Sequence, residues 1–190
     1  MLGVLIARAS DQPLDTFFRE RIFEPLGMKD ASFSAPAGKL DRFVSCYSFS
    51  PQTKKLDMTD PPNGQWSHSP IFPLSAGGLV STVDDYRAFA RMMLNKGAFG
   101  QKRLVAASSI EMMATHQLTP EQQQMCRLIF GENTGWGFGV SVLTKADGLA
   151  TRAGRYGWIE KRLPSSPTKQ TACLRVAGVE AQHEVRMGAS

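Results

Sequence analysis

The 190-residue chain is long enough for one domain of ordinary size. Its 42% hydrophobic and 21% charged residues exclude a disordered or fibrous polypeptide. The net charge of +5 comes from scattered cations, of which Lys54-Lys55 and Lys102-Arg103 are the densest pairs before residue 159. No basic stripe with interleaved aromatics forms, so nucleic acid is not expected as a partner.

Cys46, Cys126 and Cys173 lie far apart, and His68, His116 and His183 stand near none of them at metal-ligand spacing. They read as free thiols and ordinary histidines, with no metal and no cofactor. No apolar run reaches the roughly 20 residues of a membrane span. The opening MLGVLI is a short apolar run without a basic leader, so it does not read as a signal peptide.

Leu2, Leu5 and Ile6 fall at helical spacing and predict a helix packed on a core. Met1 stands where that pattern already runs, with no cap before it, and the expectation is that sequence upstream is missing. Pro13 suits the first position of a second helix over Leu14 to Phe23, which Pro25 stops and Gly27 closes. Residues 28–73 are rich in proline and turn residues, with room for short strands such as Arg42 to Phe49. Thr82 and Asp85 resemble a capping box ahead of an amphipathic helix whose apolar face holds Val83, Tyr86, Phe89, Ala90 and Met93. Gly97 and Gly100 turn the chain into a further helix over Ala106 to Thr115. Residues 117–134 read as a polar, Gln-rich connection, and Gly135 to Val142 as a strand whose glycines allow close backbone approach. Asp147-Gly148 reads as a turn, and residues 150–158 as a returning strand. After Trp158 the periodicity is lost.

Three segments carry a resemblance: Phe18 to Met28 (FRERIFEPLGM), Ala76 to Tyr86 (AGGLVSTVDDY), and Gly135 to Gly139 (GWGFG) followed by Gly154 to Trp158 (GRYGW). In this order they resemble the β-lactamase-related serine hydrolases: class C β-lactamases, D-alanyl-D-alanine carboxypeptidases and their esterase relatives. The resemblance implies an α+β, β-lactamase/transpeptidase-like fold, here mostly the helical lobe with an incomplete antiparallel sheet. It implies a small-molecule amide or ester substrate for the intact parent, and intact members are often periplasmic or secreted. The expected division is a partial domain over 1–158 and an aberrant, frame-shifted or disordered tail over 159–190.

Family chemistry needs a Ser in an SxxK motif, with the Lys accepting its proton, a Tyr that shares the transfer, and a strand motif such as WGG lining the pocket and helping to build the oxyanion hole. The first two precede the PLGM-like segment in family members, and this sequence carries neither there. The third leaves only Trp158, a substrate-binding remnant followed by Ile159 and Glu160 where glycines belong. Ser166-Pro167-Thr168-Lys169 matches SxxK by chance, in a proline-rich segment with no helical pattern. Ser75 lacks a surrounding GxSxG and reads as loop. Trp136 and Phe138 read as core, while Trp158 reads equally as core or pocket. No catalytic residue is therefore assigned. The expectation is a serine hydrolase fragment inactive as given, or, alternatively, a non-catalytic binding module of the same fold.

Overall fold

The computed structural model describes residues 1–74, 77–146 and 153–157. These fall into two compact units, residues 1–89 and 90–157. Among the described residues, no helix is long and apolar enough to cross a membrane.

The first unit opens with α1 (Leu2–Ser10). Its predicted stripe does not pack as expected: Leu2 and Leu5 are more than half exposed, and the buried residue is Gly3. A continuous run, α2, follows as Leu14–Phe18, a π-helical turn Arg19–Phe23, and Glu24–Leu26. The helix thus runs through Pro25 instead of stopping before it. A proline ring crowds the carbonyl four residues back, and the wider π turn just ahead relieves that crowding. Gly27 then ends the helix as expected, at φ 71, with Gly27 N–H donating to the Glu24 carbonyl and Met28 N–H to that of Phe23.

Leu14, Phe23, Leu26, Phe33, Ala35 and Val80 form this unit's apolar core. Phe18 stacks on Phe33 and meets Phe23 edge-on. Ser32 and Val80 exchange backbone hydrogen bonds of 3.0 and 2.8 Å. The helix α3 (Val83–Leu94) begins as predicted. Thr82 Oγ1 accepts from Asp85 N–H at 3.3 Å, which is half of the expected capping box. The other half is absent because the buried Asp85 carboxylate accepts from Lys29 and Asp30 N–H, at 3.2 and 2.7 Å. It fixes the chain just after the PLGM-like turn to the start of α3.

Asp30 in turn pairs with Lys39 at 2.6 Å and Arg42 at 3.1 Å. The hydrogen bond from Lys39, then that from Arg42, holds its carboxyl below the usual carboxylate range. A depressed folded-state value stabilises the fold above the unfolded value of about 3.9, and the effect is lost as pH falls through the folded value. Asp30→Asn is expected to lower the melting temperature slightly at pH 7, since the partners are exposed. The gap should persist down to about pH 4 and close below it, and a gap that widened on acidification would contradict the pairing.

The hairpin β1 (Cys46–Ser50) and β2 (Lys55–Asp60) realises the strand expected near Arg42 to Phe49, shifted toward its end. Cys46 is disulfide-bonded, which corrects its reading as a free thiol. Tyr47 lies opposite Met58 and Phe49 opposite Leu56, and all four are exposed. With Leu2 and Leu5, this leaves much apolar surface in water. Purified chain is therefore expected to self-associate in size-exclusion chromatography. A monomer with one sharp, cooperative melt would contradict that.

In the second unit, α3 ends at Leu94, and a turn through Gly97, at φ 85, leads into the small hairpin β3 (Ala98–Phe99) and β4 (Lys102–Arg103), with Gly100 at φ 59 between them. The helix predicted next is α4 (Ala107–Met113). The connection predicted over 117–134 is instead largely α5 (Pro120–Phe130), opened by a complete Thr119–Gln122 capping box with Pro120 in the first turn. The strand predicted over Gly135 to Val142 is a hairpin. β5 (Thr134–Trp136) pairs with β6 (Ser141–Leu143) around Gly139 at φ 80, and Gly137 N–H donates to the Val140 carbonyl. β7 (Tyr156–Gly157) completes this antiparallel sheet, within the returning segment expected over 150–158. Asp147 and Gly148 lie outside the described residues. Ala90, Met92, Met93, Ile110, Val142 and Leu143 are this unit's buried apolar residues.

Candidate functional site

The chain leaves β2 through Pro61-Pro62-Asn63-Gly64 into a 3₁₀ turn, Gln65–Ser67. Asp60, buried at the end of β2, accepts from Gln65 N–H at 3.0 Å. A Cβ at Gly64 would overlap the Asp60 carboxylate, so the turn closes only with glycine there. Ala35 N–H donates to the Trp66 carbonyl at 2.7 Å. Trp66 is thus held from two sides, and with Phe33, Pro70, Phe72 and Leu74 it walls a cleft of about 480 Å³.

The Ser67 hydroxyl and the His68 ring are engaged within this turn. Ser67 Oγ donates to the Gly64 carbonyl at 2.7 Å, and His68 Nδ1 lies 3.0 Å from that hydroxyl and 3.1 Å from the same carbonyl. A hydroxyl proton already engaged by a carbonyl leaves Nδ1 the role of donor, and a donor nitrogen cannot accept the proton of an attacking serine. Ser69 Oγ faces Ser34 Oγ at 3.4 Å. Among the described residues, no three His, Cys, Asp or Glu side chains gather to hold a metal ion.

Trp158, Ser75, Ser166 and Lys169 all lie outside the described residues. Phe138, read as core, is exposed at the tip of the β5–β6 hairpin, while Trp136 is half-buried. The sequence reading missed the cleft itself. Its signal was present: Trp66 and Pro70-Ile71-Phe72-Pro73-Leu74 place apolar residues between prolines in a loop, where no helix or strand period buries them.

The architecture is shared with solved structures of the β-lactamase/transpeptidase-like class. A mutant simvastatin synthase (LovD) from Aspergillus terreus aligns at a TM-score of 0.63, with 18% identity, over 80% of this chain and 42% of that one. EstCE1, a hydrolase with promiscuous acyltransferase activity, aligns at 0.61, with 17% identity, over 76% and 39%. The octameric penicillin-binding protein homologue from Pyrococcus abyssi aligns at 0.51, with 24% identity, over 74% and 28%. At such identities these likenesses establish the fold alone. The chain belongs to the Beta-lactamase family, whose model matches residues 1–161. The uncharacterized protein MT1414 and protein Rv1367c, from two strains of Mycobacterium tuberculosis, are each 35% identical over 147 residues. The alignment covers 76% of this chain and 36% of either relative, so the chain spans about a third of their length.

Proposed function

We propose that these residues form the helical lobe and a pocket wall of a serine hydrolase that cleaves an amide or ester through an acyl-serine intermediate, and that the 190-residue chain alone does not perform the reaction. The observation carrying the reading is the cleft in a chain of this family: it has a binding wall, but the serine and histidine beside it are spent on closing a turn. In the proposed reaction, an SxxK serine attacks the carbonyl, its Lys takes the proton, and a Tyr shares the transfer. Among residues 1–157 no serine is followed three positions on by a lysine. Residues 1–158 are proposed as the partial domain and 159–190 as an aberrant tail, with Trp158 as a remnant of the substrate-binding third motif.

The test is the DNA on either side of the reading frame. In-frame codons for S-x-x-K and Y-S-x upstream, with a glycine pair after Trp158 in another frame, are expected. Flanks with neither would overturn the hydrolase reading in favour of a non-catalytic binding module.

A further inference from the structure

We propose that the Asn63–Gly64 step is a site of spontaneous modification, where the Asn63 carboxamide is lost through a cyclic imide, and that the native turn holds this reaction in check. The inference goes beyond the hydrolase reading and does not depend on it. Glycine has no side chain to shield its backbone nitrogen, so in an Asn-Gly step that nitrogen can reach the asparagine side chain. Asn63 is exposed to the water that the reaction needs. Gly64 N–H gives its proton to solvent, and the nitrogen attacks Asn63 Cγ. The N–Cγ bond forms, the Cγ–Nδ2 bond breaks, and Nδ2 leaves as ammonia. Water then opens the imide at one carbonyl or the other, which leaves an aspartyl or an isoaspartyl residue.

The fold opposes the first step. Gly64 N–H donates to the Pro61 carbonyl at 2.9 Å, closing a turn with Pro62 and Asn63 at its centre. The proton that must leave is therefore held by a carbonyl. The Gly64 carbonyl accepts in turn from Ser67 N–H at 3.1 Å and from Ser67 Oγ at 2.7 Å, so Gly64 is fixed on both sides. Modification proceeds from the opened turn, and its rate reports how often the turn opens. The products fit the closed turn poorly. An isoaspartyl link adds a backbone methylene next to Gly64, where even a Cβ would overlap the Asp60 carboxylate. Either product also brings a new negative charge close to that buried carboxylate. Opening frees Gln65 N–H from Asp60 and Ala35 N–H from the Trp66 carbonyl, and with them the Trp66 wall of the cleft.

The experiment incubates the 190-residue chain at mildly alkaline pH, in buffer and in guanidinium chloride, and follows Asn63 by peptide mass spectrometry. Conversion is expected in both, about tenfold slower in buffer, because a turn held by several hydrogen bonds is seldom open. Ser67→Ala removes one of those bonds. It should speed conversion several-fold in buffer and leave the rate in guanidinium chloride unchanged. The isoaspartyl chain, isolated by chromatography, should lose amide-exchange protection at Gln65 and Ala35. Asn63 left intact in guanidinium chloride would remove the site. Equal rates in buffer and denaturant, or a Ser67→Ala rate in buffer equal to that of wild type, would show that the turn does not restrain it. Undiminished protection in the isoaspartyl chain would show that the product fits the turn. Any one of these results would overturn the proposal.

Discussion

Incubated with a chromogenic cephalosporin or a p-nitrophenyl ester, the 190-residue chain will hydrolyse neither faster than buffer does. Covalent catalysis needs an activated hydroxyl with a base within about 2.6–3.2 Å and donors aimed at the developing oxyanion. Loss of a single oxyanion donor costs on the order of a hundred- to a thousandfold. Among residues 1–157 no serine is followed three positions on by a lysine, and Ile159 and Glu160 follow Trp158 where the family motif has paired glycines. Ser67 and His68 meet the distance criterion at 3.0 Å, but the hydroxyl donates to the Gly64 carbonyl and the ring meets that same oxygen. Residual binding in the cleft does not replace an attacking group. Absorbance assays on wild-type chain and Ser67→Ala should give the same background slope, and a slope above buffer that falls on substitution would contradict the assignment of Ser67 to the turn.

Gly137→Ala will cost the second unit its cooperative fold. Gly137 is buried, and a Cβ there would overlap the Met113 carbonyl oxygen and lie 3.1 Å from that of Thr115. The same Met113 carbonyl accepts from Phe138 N–H at 3.2 Å, so moving it away breaks the contact that seats the hairpin on the end of α4. That end is anchored by the buried Ile110. Neither backbone can yield cheaply, and the expected loss is on the order of 4 kcal/mol, a large share of a domain's total stability. Gly139→Ala is the control. It meets no atom within 4 Å and pays only for its φ of 80, about 1–2 kcal/mol. Amide hydrogen exchange across β5 and β6 reads both variants. Protection should collapse in Gly137→Ala and persist in Gly139→Ala. Equal protection in Gly137→Ala and wild type would show that the close approach does not hold in solution.

What the sequence disclosed depended on whether the governing interaction was local. The helix stop at Gly27 was readable because its signal lies within a few residues, and so was the close approach at Gly137, which only a missing Cβ allows. Helix α5 was readable in principle: Thr119-Pro120-Glu121-Gln122 carries a capping box with proline in the first turn, yet the polar run that follows has no apolar period to mark a helix. The β5–β6 turn failed for the opposite reason. Apolar alternation continues through Phe138 and Gly139, and only the positive φ of Gly139 reveals the reversal. Asp85 serving Lys29 and Asp30 instead of its own helix is a contact across more than fifty residues, invisible to any local rule. The cleft was hidden likewise, because Phe33, Trp66 and Gly78 meet only after folding. The family was legible nonetheless, since three short segments in order carry it.

A fluorescent phosphonate that labels reactive serines tests most directly whether this chain carries an attacking group. The 190-residue chain is incubated with the probe, digested and mapped by mass spectrometry, beside an active serine hydrolase as control. The account predicts labelling of the control and of no serine in this chain. Covalent labelling at Ser166 would restore the Ser166-Lys169 pair as a true motif, and labelling at Ser67 or Ser75 would reveal an activated hydroxyl. Either result would contradict the claim that these residues bind but do not attack.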